Sequence, residues 1–135
     1  MNKTDYEAAF AAMPCGFSIR EKDGVKWAAI PLLEAAGGVS HGLAMRFGGV
    51  STGAFSTLNL GWNRPDSREA LFENYRRFAK AAGFPYESMA LVSYCHGDGV
   101  EVARSGDGGM GFPGGARYPD CDGLITNEAG VTLTT

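Results

Sequence analysis

The sequence has 135 residues, of which 44% are hydrophobic and 20% are charged, and its formal net charge is −3. This size and composition are typical of one globular domain with a modest core. The acidic balance, without a basic patch, argues against nucleic acid and anionic membranes as partners. A polar N-terminus and the lack of an apolar run of about 20 residues argue against a signal peptide and a membrane helix, so we expect a cytoplasmic protein.

Cysteine usage favours the same compartment. The cysteines are Cys15, Cys95 and Cys121. An odd number without a Cys-x-x-Cys pair argues against both a disulfide framework and a zinc knuckle. We therefore expect reduced thiols.

The first half of the chain predicts a helix, a hairpin and a strand. A capping box followed by apolar residues at helical spacing predicts a short helix over 4–13. Alternating runs at 17–19 and 25–29 flank a turn at 23–24, which is the pattern of a β-hairpin. Residues 39–46 are predicted to form a further strand with its apolar side chains on one face.

The clearest predicted helix lies between a cap at Asp66 or Ser67 and a glycine stop at Gly83. A brief extended segment at 58–60 precedes it. Its apolar stripe consists of Leu71, Tyr75, Phe78 and Ala82.

Strands and a glycine-rich loop are predicted beyond this helix. Residues 89–96 have apolar side chains on both faces, which indicates a central strand covered on both sides. Residues 99–103 are predicted to be its partner, 104–119 form the loop, and two more strands are predicted at 123–126 and 131–135. The predicted fold class is α+β, a mixed β-sheet with few flanking helices. We expect this fold to be incomplete, because the last strand stops in mid-pattern.

His96 is the strongest candidate for a functional side chain. It ends the predicted strand and precedes Gly97-Asp98-Gly99, and strand ends that open into glycine-rich loops commonly carry function. Its imidazole could bind a metal or relay a proton, and the alternative is a hydrogen-bonded histidine at the edge of the core. Cys95 would point to the opposite face of the strand and is expected to be a small buried hydrophobe.

Three other features have plain structural interpretations. His41 falls in the apolar register of its strand, which favours a satisfied core histidine over a metal ligand. Cys121 would need an activating base to act as a nucleophile, and the sequence identifies none. The glycine pattern at 106–111 matches a dinucleotide fingerprint, but residues 112–115 cannot begin the helix that this fingerprint needs.

Arg46 precedes a glycine turn, Gly48-Gly49, and the hydroxyl of Ser51. A guanidinium beside backbone N–H groups and a hydroxyl suits an anion such as phosphate or carboxylate. The alternative is a surface arginine beside a turn that ends a strand, and the residues alone leave both interpretations open.

Five motifs, in this order and spacing, resemble those of the YfiH-type laccase-domain family, also called the multicopper polyphenol oxidase family. They are Arg46-Phe47-Gly48-Gly49-Val50-Ser51, Leu58-Asn59-Leu60-Gly61, Glu73-Asn74-Tyr75-Arg76, His96-Gly97 with Val100, and Cys121-Asp122-Gly123-Leu124-Ile125-Thr126. The resemblance covers residues 15–135. It implies that residues 1–135 are the N-terminal part of a single laccase domain.

The resemblance implies an enzyme that acts on purine nucleosides. The implied reactions are phosphorolysis of adenosine, inosine, guanosine and methylthioadenosine, together with deamination of adenosine. A purine nucleoside and phosphate would then be the partners. Some family members are instead described as peptidoglycan editing factors, so hydrolysis of a cell-wall link is the alternative activity.

The resemblance also implies a metal site, with zinc as the metal and copper as the alternative. Family members bind it through a histidine, a cysteine and a second histidine. Only the first ligand carries over, to His96, which is therefore the catalytic and metal-binding candidate. The cysteine and second histidine belong to Ala-Asp-Cys and His-Ala-Gly-Trp segments that this sequence does not contain.

Roles in binding substrate follow for two further residues. Arg46 is the candidate for holding phosphate or substrate, and Asn59 for a hydrogen bond to a ribose hydroxyl or a base edge. For Asn59 the alternative is a turn-stabilising amide. Because catalytic zinc normally needs three protein ligands, the 135-residue chain alone is expected to be inert, and a non-catalytic binding fragment remains the other alternative.

Overall fold

A computed structural model supplies the fold of most of the chain. It describes residue 8 and residues 16–92, 94–119 and 121–135. Ala8 is helical, but the rest of the helix predicted over 4–13 lies outside the described residues, as does Cys15.

The chain divides into two compact units, Met1–Gly83 and Phe84–Thr135. Within the described residues, three small sheets, one antiparallel and two parallel, and two α-helices make the fold α+β, which confirms the predicted class. None of the helices described is both long enough and apolar enough to cross a membrane. That residues 1–135 belong to a single domain stays a prediction.

The first unit contains a three-stranded antiparallel sheet in the order β1–β2–β3. Strand β1 spans Ser18–Lys22, β2 spans Val25–Ala29 and β3 spans Leu43–Ala44. The two turn residues between β1 and β2, Asp23 and Gly24, have φ angles of 53° and 79°. A two-residue turn with positive φ at both positions matches the twist of paired strands, and the predicted hairpin is confirmed.

The strand predicted over 39–46 is wrong except at β3. Only two of its residues pair with β2. The side chain of Leu43, one of the apolar residues of this segment, is 62% exposed, so the predicted apolar face is not uniformly buried. Gly42 lies against an aromatic ring, since a Cβ there would come within 2.9 Å of Cδ1 of Trp27. The backbone at Gly42 therefore lies against the indole ring of Trp27 in β2, and its pairing with β2 is limited to Leu43 and Ala44. A short helix that the sequence did not predict, α1 (Pro31–Ala36), begins with the proline that favours a first helical position.

The long helix α2 spans Arg68–Ala82 and begins and ends as predicted. The Ser67 hydroxyl accepts a hydrogen bond from the Ala70 amide at 3.3 Å, which caps the N-terminus. Gly83 has a φ of 85° and donates its N–H to Ala79 O, which ends the helix in a left-handed turn. The apolar face of α2 is buried and packs toward β1 and β2.

One polar residue, Asn74, is completely buried on the apolar face of α2. Its Nδ2 donates to Ser51 Oγ and to Asn59 O, both at 2.8 Å. Its Oδ1 accepts a hydrogen bond from Val50 N at 2.8 Å. This single amide therefore links the helix to the two irregular segments that carry Arg46 and Asn59.

The second unit contains two parallel two-stranded sheets, β4–β7 and β5–β6. The strands are β4 (Met89–Leu91), β5 (Val100–Val102), β6 (Gly123–Ile125) and β7 (Thr132–Thr134). The strands predicted at 123–126 and 131–135 are confirmed, each at a shorter length. The predicted pairing of 89–96 with 99–103 is wrong, because β4 ends at Leu91 and pairs with β7.

The glycine-rich loop lies along the second edge of β4. Leu91 N donates to Met110 O, and Gly109 N donates to Met89 O, both at 2.9 Å. A Cβ at Gly111 would lie 1.8 Å from Leu91 O, so this approach requires glycine. The G-x-G-x-x-G pattern thus serves backbone packing against the strand.

The core of the second unit surrounds a tyrosine and a cysteine. Its buried members, none more than 5% exposed, are Ala90, Val92, Ala103, Tyr118 and Cys121. The Tyr118 hydroxyl donates to Asp107 Oδ2 at 3.1 Å. Burial, followed by this hydrogen bond and the charge of the carboxylate, raises the pKa of Tyr118 to about 12.

Ionisation of Tyr118 should destabilise the second unit at alkaline pH. Its raised pKa stabilises the fold below the unfolded value of about 10, and this stability is lost as pH rises towards 12. Titration followed by the ultraviolet absorbance of tyrosinate should show a late phase that disappears in Tyr118→Phe. In Tyr94→Phe, which changes an exposed side chain, the late phase should persist; its absence from the unmodified protein would contradict the assignment.

Replacing Asn74 should destabilise the first unit strongly. In Asn74→Ala the buried partners of the amide lose their hydrogen bonds, and we expect a loss of about 3 kcal/mol in the free energy of unfolding. Chemical denaturation measures this loss. The control is Lys80→Ala on the exposed face of the same helix, which should change stability by no more than about 0.5 kcal/mol. Equal effects of the two substitutions would contradict a structural role for the amide.

Candidate functional site

His96 lies in an exposed turn beyond β4. The prediction that it ends a buried strand is wrong, since the strand stops five residues earlier, at Leu91. Its φ angle is 62°, in the left-handed region that residues other than glycine rarely occupy. The imidazole is therefore carried by a strained, solvent-facing backbone.

The carboxylate of Asp122 holds this turn. Its Oδ1 accepts hydrogen bonds from Cys95 N at 3.1 Å and His96 N at 3.0 Å. Its Oδ2 accepts from Gly97 N at 2.6 Å and from the Cys95 thiol at 3.1 Å. The thiol contact, followed by the Gly97, His96 and Cys95 amides, lowers the pKa of Asp122 to about 2, so the group is ionised at neutral pH.

Cys95 differs from expectation, whereas Cys121 does not. Cys95 is exposed, so the expectation of a buried hydrophobe is wrong. The argument that Cys95 and His96 point to opposite faces of a strand also fails, because neither lies in a strand. Cys121 is completely buried in the core of the second unit, where its thiol is shielded from substrates.

In the first unit, Arg46 is exposed and its Nη2 donates to Ala54 O at 2.9 Å. The sequence suggests that backbone N–H groups of the turn after Arg46 can bind an anion, but three of them already donate hydrogen bonds within the protein. Gly49 N donates to the Thr57 hydroxyl at 3.4 Å, Val50 N to Asn74 and Ser51 N to Thr57 O. A bound anion would therefore be held by the guanidinium and not by these amides.

Asn59 lies in a segment adjacent to Arg46, because Arg46 O accepts hydrogen bonds from both Thr57 N and Leu58 N. Its Nδ2 donates to Asp66 Oδ2 at 2.8 Å and its Oδ1 accepts from Gly61 N at 3.0 Å. These are the contacts of a turn-stabilising amide. Since Nδ2 carries two hydrogens, it can donate to Asp66 and also to a ligand hydroxyl.

Asp66 organises the same corner of the first unit. Its Oδ2 accepts from the Ser51 hydroxyl at 2.7 Å as well as from Asn59, and its Oδ1 accepts from Ser67 N at 2.8 Å. The hydrogen bond from Asn59, followed by that from Ser51, lowers the pKa of Asp66. The sequence identified Asp66 only as a helix cap, whereas the structure gives it a second role in holding Asn59.

His41 is hydrogen-bonded, as predicted, although it lies outside β3 and not in the strand whose apolar register suggested this. It is half-buried, and its Nε2 accepts a hydrogen bond from Ile30 N at 2.7 Å. Accepting this bond requires Nε2 to be unprotonated, so the neutral ring carries its proton on Nδ1. Protonation of Nε2 or binding of a metal there would break the contact.

Asp122 and Asn74 are the residues that sequence reasoning missed. Both fall inside motifs that carry the family resemblance, and Asn74 is a polar residue between two members of an apolar helical stripe. A buried amide in such a stripe signals a hydrogen-bonding role. For Asp122 the signal is weaker, because the residues it binds lie 25 to 27 positions away in the chain.

The chemistry of His96 fits one position of a catalytic zinc site. Imidazole is a common zinc ligand, and this ring is exposed and carried by a backbone held in place. Among the described residues, no cluster of three or more His, Cys, Asp or Glu side chains is arranged to hold a metal ion. The described part of the chain therefore contains no complete set of three protein ligands, which a catalytic zinc site normally has.

Similarity to known proteins covers both units. The family model described as "Multi-copper polyphenol oxidoreductase laccase" matches residues 40–135. Purine nucleoside phosphorylase YlmD of Geobacillus stearothermophilus is 37% identical over 97 residues, which are 71% of this chain and 35% of that protein. A purine nucleoside phosphorylase of Deinococcus radiodurans is 35% identical over 105 residues, which are 77% of this chain and 37% of the relative.

The fold has a counterpart among solved structures. The crystal structure of YlmD from Geobacillus stearothermophilus matches with a TM-score of 0.76 and 35% sequence identity, over 89% of this chain and 43% of that chain. The present chain spans little more than a third of the length of the two relatives. On the sequence match and the shared fold, the chain belongs to the multi-copper polyphenol oxidoreductase laccase family, which is the YfiH-type family that its motifs resemble.

Proposed function

We propose that the chain is the N-terminal part of a zinc-dependent purine nucleoside phosphorylase that also deaminates adenosine. The observation that carries the proposal is His96, an exposed histidine whose backbone N–H is held by a carboxylate, in a chain whose relatives are named purine nucleoside phosphorylases. Adenosine, inosine, guanosine and methylthioadenosine are the proposed nucleosides, with phosphate as the second substrate. The activity is assigned to the full-length protein.

His96 would hold the metal together with a cysteine and a histidine from segments outside this sequence. A bound zinc supplies Lewis acidity at a water or substrate oxygen. The contribution of this chain would be to fix the backbone from which the imidazole projects, because a ligand that is partly oriented beforehand loses less conformational freedom on binding. Copper is the alternative metal for the same ligand.

Arg46 is the proposed phosphate-binding residue. Phosphorolysis brings a phosphate oxygen to the ribose C1′ while the purine leaves, so the enzyme must hold a dianion. A guanidinium has five N–H donors, and the contact with Ala54 O uses only part of this capacity. Asn59, held by Asp66, would donate to a ribose hydroxyl or a base edge.

Zinc content should depend on His96 and not on His41. In the full-length protein, His96→Ala should lose its stoichiometric zinc, because one of three ligands is missing. The matched control is His41→Ala, which removes a ring that already accepts the Ile30 amide and should keep its zinc. Elemental analysis of both purified variants measures the difference. Stoichiometric zinc in His96→Ala would exclude this histidine as a ligand.

Arg46→Ala should impair the use of phosphate while leaving the fold intact. Losing a charge-assisted contact of about 1.5 kcal/mol should raise the KM for phosphate roughly tenfold in the full-length enzyme. Because the guanidinium is exposed, the melting temperature should change little. Arg20→Ala is the control, since Arg20 is also exposed and forms an ion pair with Glu34 in the same unit. A lowered melting temperature with unchanged phosphate kinetics would make Arg46 structural.

A further inference from the structure

The turn that carries His96 is fixed by one side chain from a distant part of the sequence. Three consecutive amides, of Cys95, His96 and Gly97, point at the carboxylate of Asp122. The Cys95 thiol supplies a fourth donor, at 3.1 Å from Oδ2. Both carboxylate oxygens thus accept two hydrogen bonds each.

This arrangement opposes the intrinsic preference of the His96 backbone. A residue with a Cβ is disfavoured at a φ of 62° and would normally relax to a negative angle. Such a change would rotate the Cα–Cβ bond and redirect the imidazole. The four hydrogen bonds to an ionised group offset the cost of the left-handed conformation.

Asp122 can do this because its own backbone is anchored. Asp122 N and Gly123 N both donate to Gly99 O, at 2.9 and 3.2 Å. The preceding residue, Cys121, is completely buried, and the following residues form β6. The carboxylate therefore projects from a rigid part of the second unit.

The shortest of the four contacts is made by Gly97, whose N–H approaches Oδ2 of Asp122 to 2.6 Å. A Cβ on Gly97 would lie 3.4 Å from Cys95 Sγ and 3.5 Å from this same oxygen, which are ordinary van der Waals distances. The hydrogen bonds to Asp122, and not the lack of a side chain at position 97, therefore hold the turn.

We propose that Asp122 is the positioning residue of His96: its carboxylate fixes the backbone of residues 95–97 and thereby sets the direction in which the imidazole leaves the chain. The value of this for metal binding rests on the proposed function. The positioning itself depends only on the contacts within the second unit.

Amide hydrogen exchange, followed by nuclear magnetic resonance on the 135-residue chain, tests the positioning. In Asp122→Asn one oxygen becomes an amide nitrogen that cannot accept, so the amides of residues 95–97 should exchange at least about tenfold faster. The backbone amides of Ala90 and Ala103, in the core of the same unit, should stay protected from exchange. The backbone carbon shifts of His96 should also move towards those of a residue with negative φ.

Asp107→Asn is the matched control. Asp107 also accepts hydrogen bonds within the second unit, from Arg104 N at 2.8 Å and from the Tyr118 hydroxyl at 3.1 Å, but its partners do not include residues 95–97. Its substitution should leave exchange at 95–97 unchanged. If Asp122→Asn leaves these rates and the His96 shifts unchanged, or if both variants alter them equally, the proposal is overturned.

A further variant covers the case in which Asp122→Asn unfolds the unit and the Ala90 and Ala103 amides lose protection too. Asp122→Glu retains the charge but displaces the carboxylate by one methylene. Acceleration confined to residues 95–97 in this variant supports positioning by geometry. Exchange at the rate of the unmodified chain would show that the placement of the carboxylate does not matter and would overturn the proposal.

The consequence for the metal is measured separately. In the full-length protein Asp122→Asn should weaken zinc binding by roughly 10–100-fold, as loss of a group that orients a ligand commonly does. Unchanged zinc affinity, with accelerated exchange at 95–97, would overturn the functional part of the inference. If the unmodified full-length protein binds no zinc, the proposed function fails, while the exchange rates still decide whether Asp122 positions His96.

Discussion

The first unit depends on the buried carboxamide of Asn74. The segments around Arg46 and Asn59 have almost no regular secondary structure, and irregular backbone hydrogen bonds, such as those from Thr57 N and Leu58 N to Arg46 O, join them without forming a repeating ladder. Asn74 supplies the missing partners from the rigid helix α2: an acceptor for Val50 N and donors for Ser51 Oγ and Asn59 O. Because a buried polar group must be paired, the amide can occupy the apolar face only when both segments are in place.

The second unit uses a carboxylate in the same way. Residues 94–99 form no helix or strand, and the amides of three of them are satisfied by Asp122. Asn74 is buried and neutral, whereas Asp122 faces an exposed turn and is charged. The difference follows from location, because an ionised group is tolerated where water can still reach it and a neutral amide is required where water is excluded.

Local signals predicted the parts of this fold that local chemistry determines. The hairpin follows from a two-residue turn that accepts positive φ, and α2 follows from a serine cap, an apolar stripe and a terminal glycine. Strand pairing was predicted poorly. Strand β4 pairs with β7, more than 40 residues away, and the glycine-rich loop bonds to the other edge of β4. The residue pattern of β4 or β7 alone indicates neither pairing. Long-range pairing depends on the closure of the whole chain and not on the alternation of a segment.

The candidate functional residues of each unit show the same division. His96 was identified from its place before a glycine-rich exit, although it lies in a left-handed turn and not at a strand end. Arg46 is identified from its side chain, but the backbone amides expected to help it bind an anion donate their hydrogen bonds to Thr57 and Asn74. In both cases the chemical type of the residue was readable, while the groups that hold it come from elsewhere in the chain. Side-chain identity is a property of one position, whereas the placement of that side chain is a property of the folded contacts.

Side chains from other segments explain how irregular segments can hold the candidate residues in a defined conformation. A loop can place a side chain where no helix or strand could, but it lacks the repeating hydrogen bonds that would fix it. Here a polar side chain in or beside regular structure helps to hold each such loop: Asn74 lies in α2, and Asp122 lies immediately before β6. Because each anchoring group lies in a different segment from the residues it positions, a change at Asn74 would disturb Arg46 and Asn59 in the first unit, and a change at Asp122 would disturb His96 in the second, without altering these residues themselves.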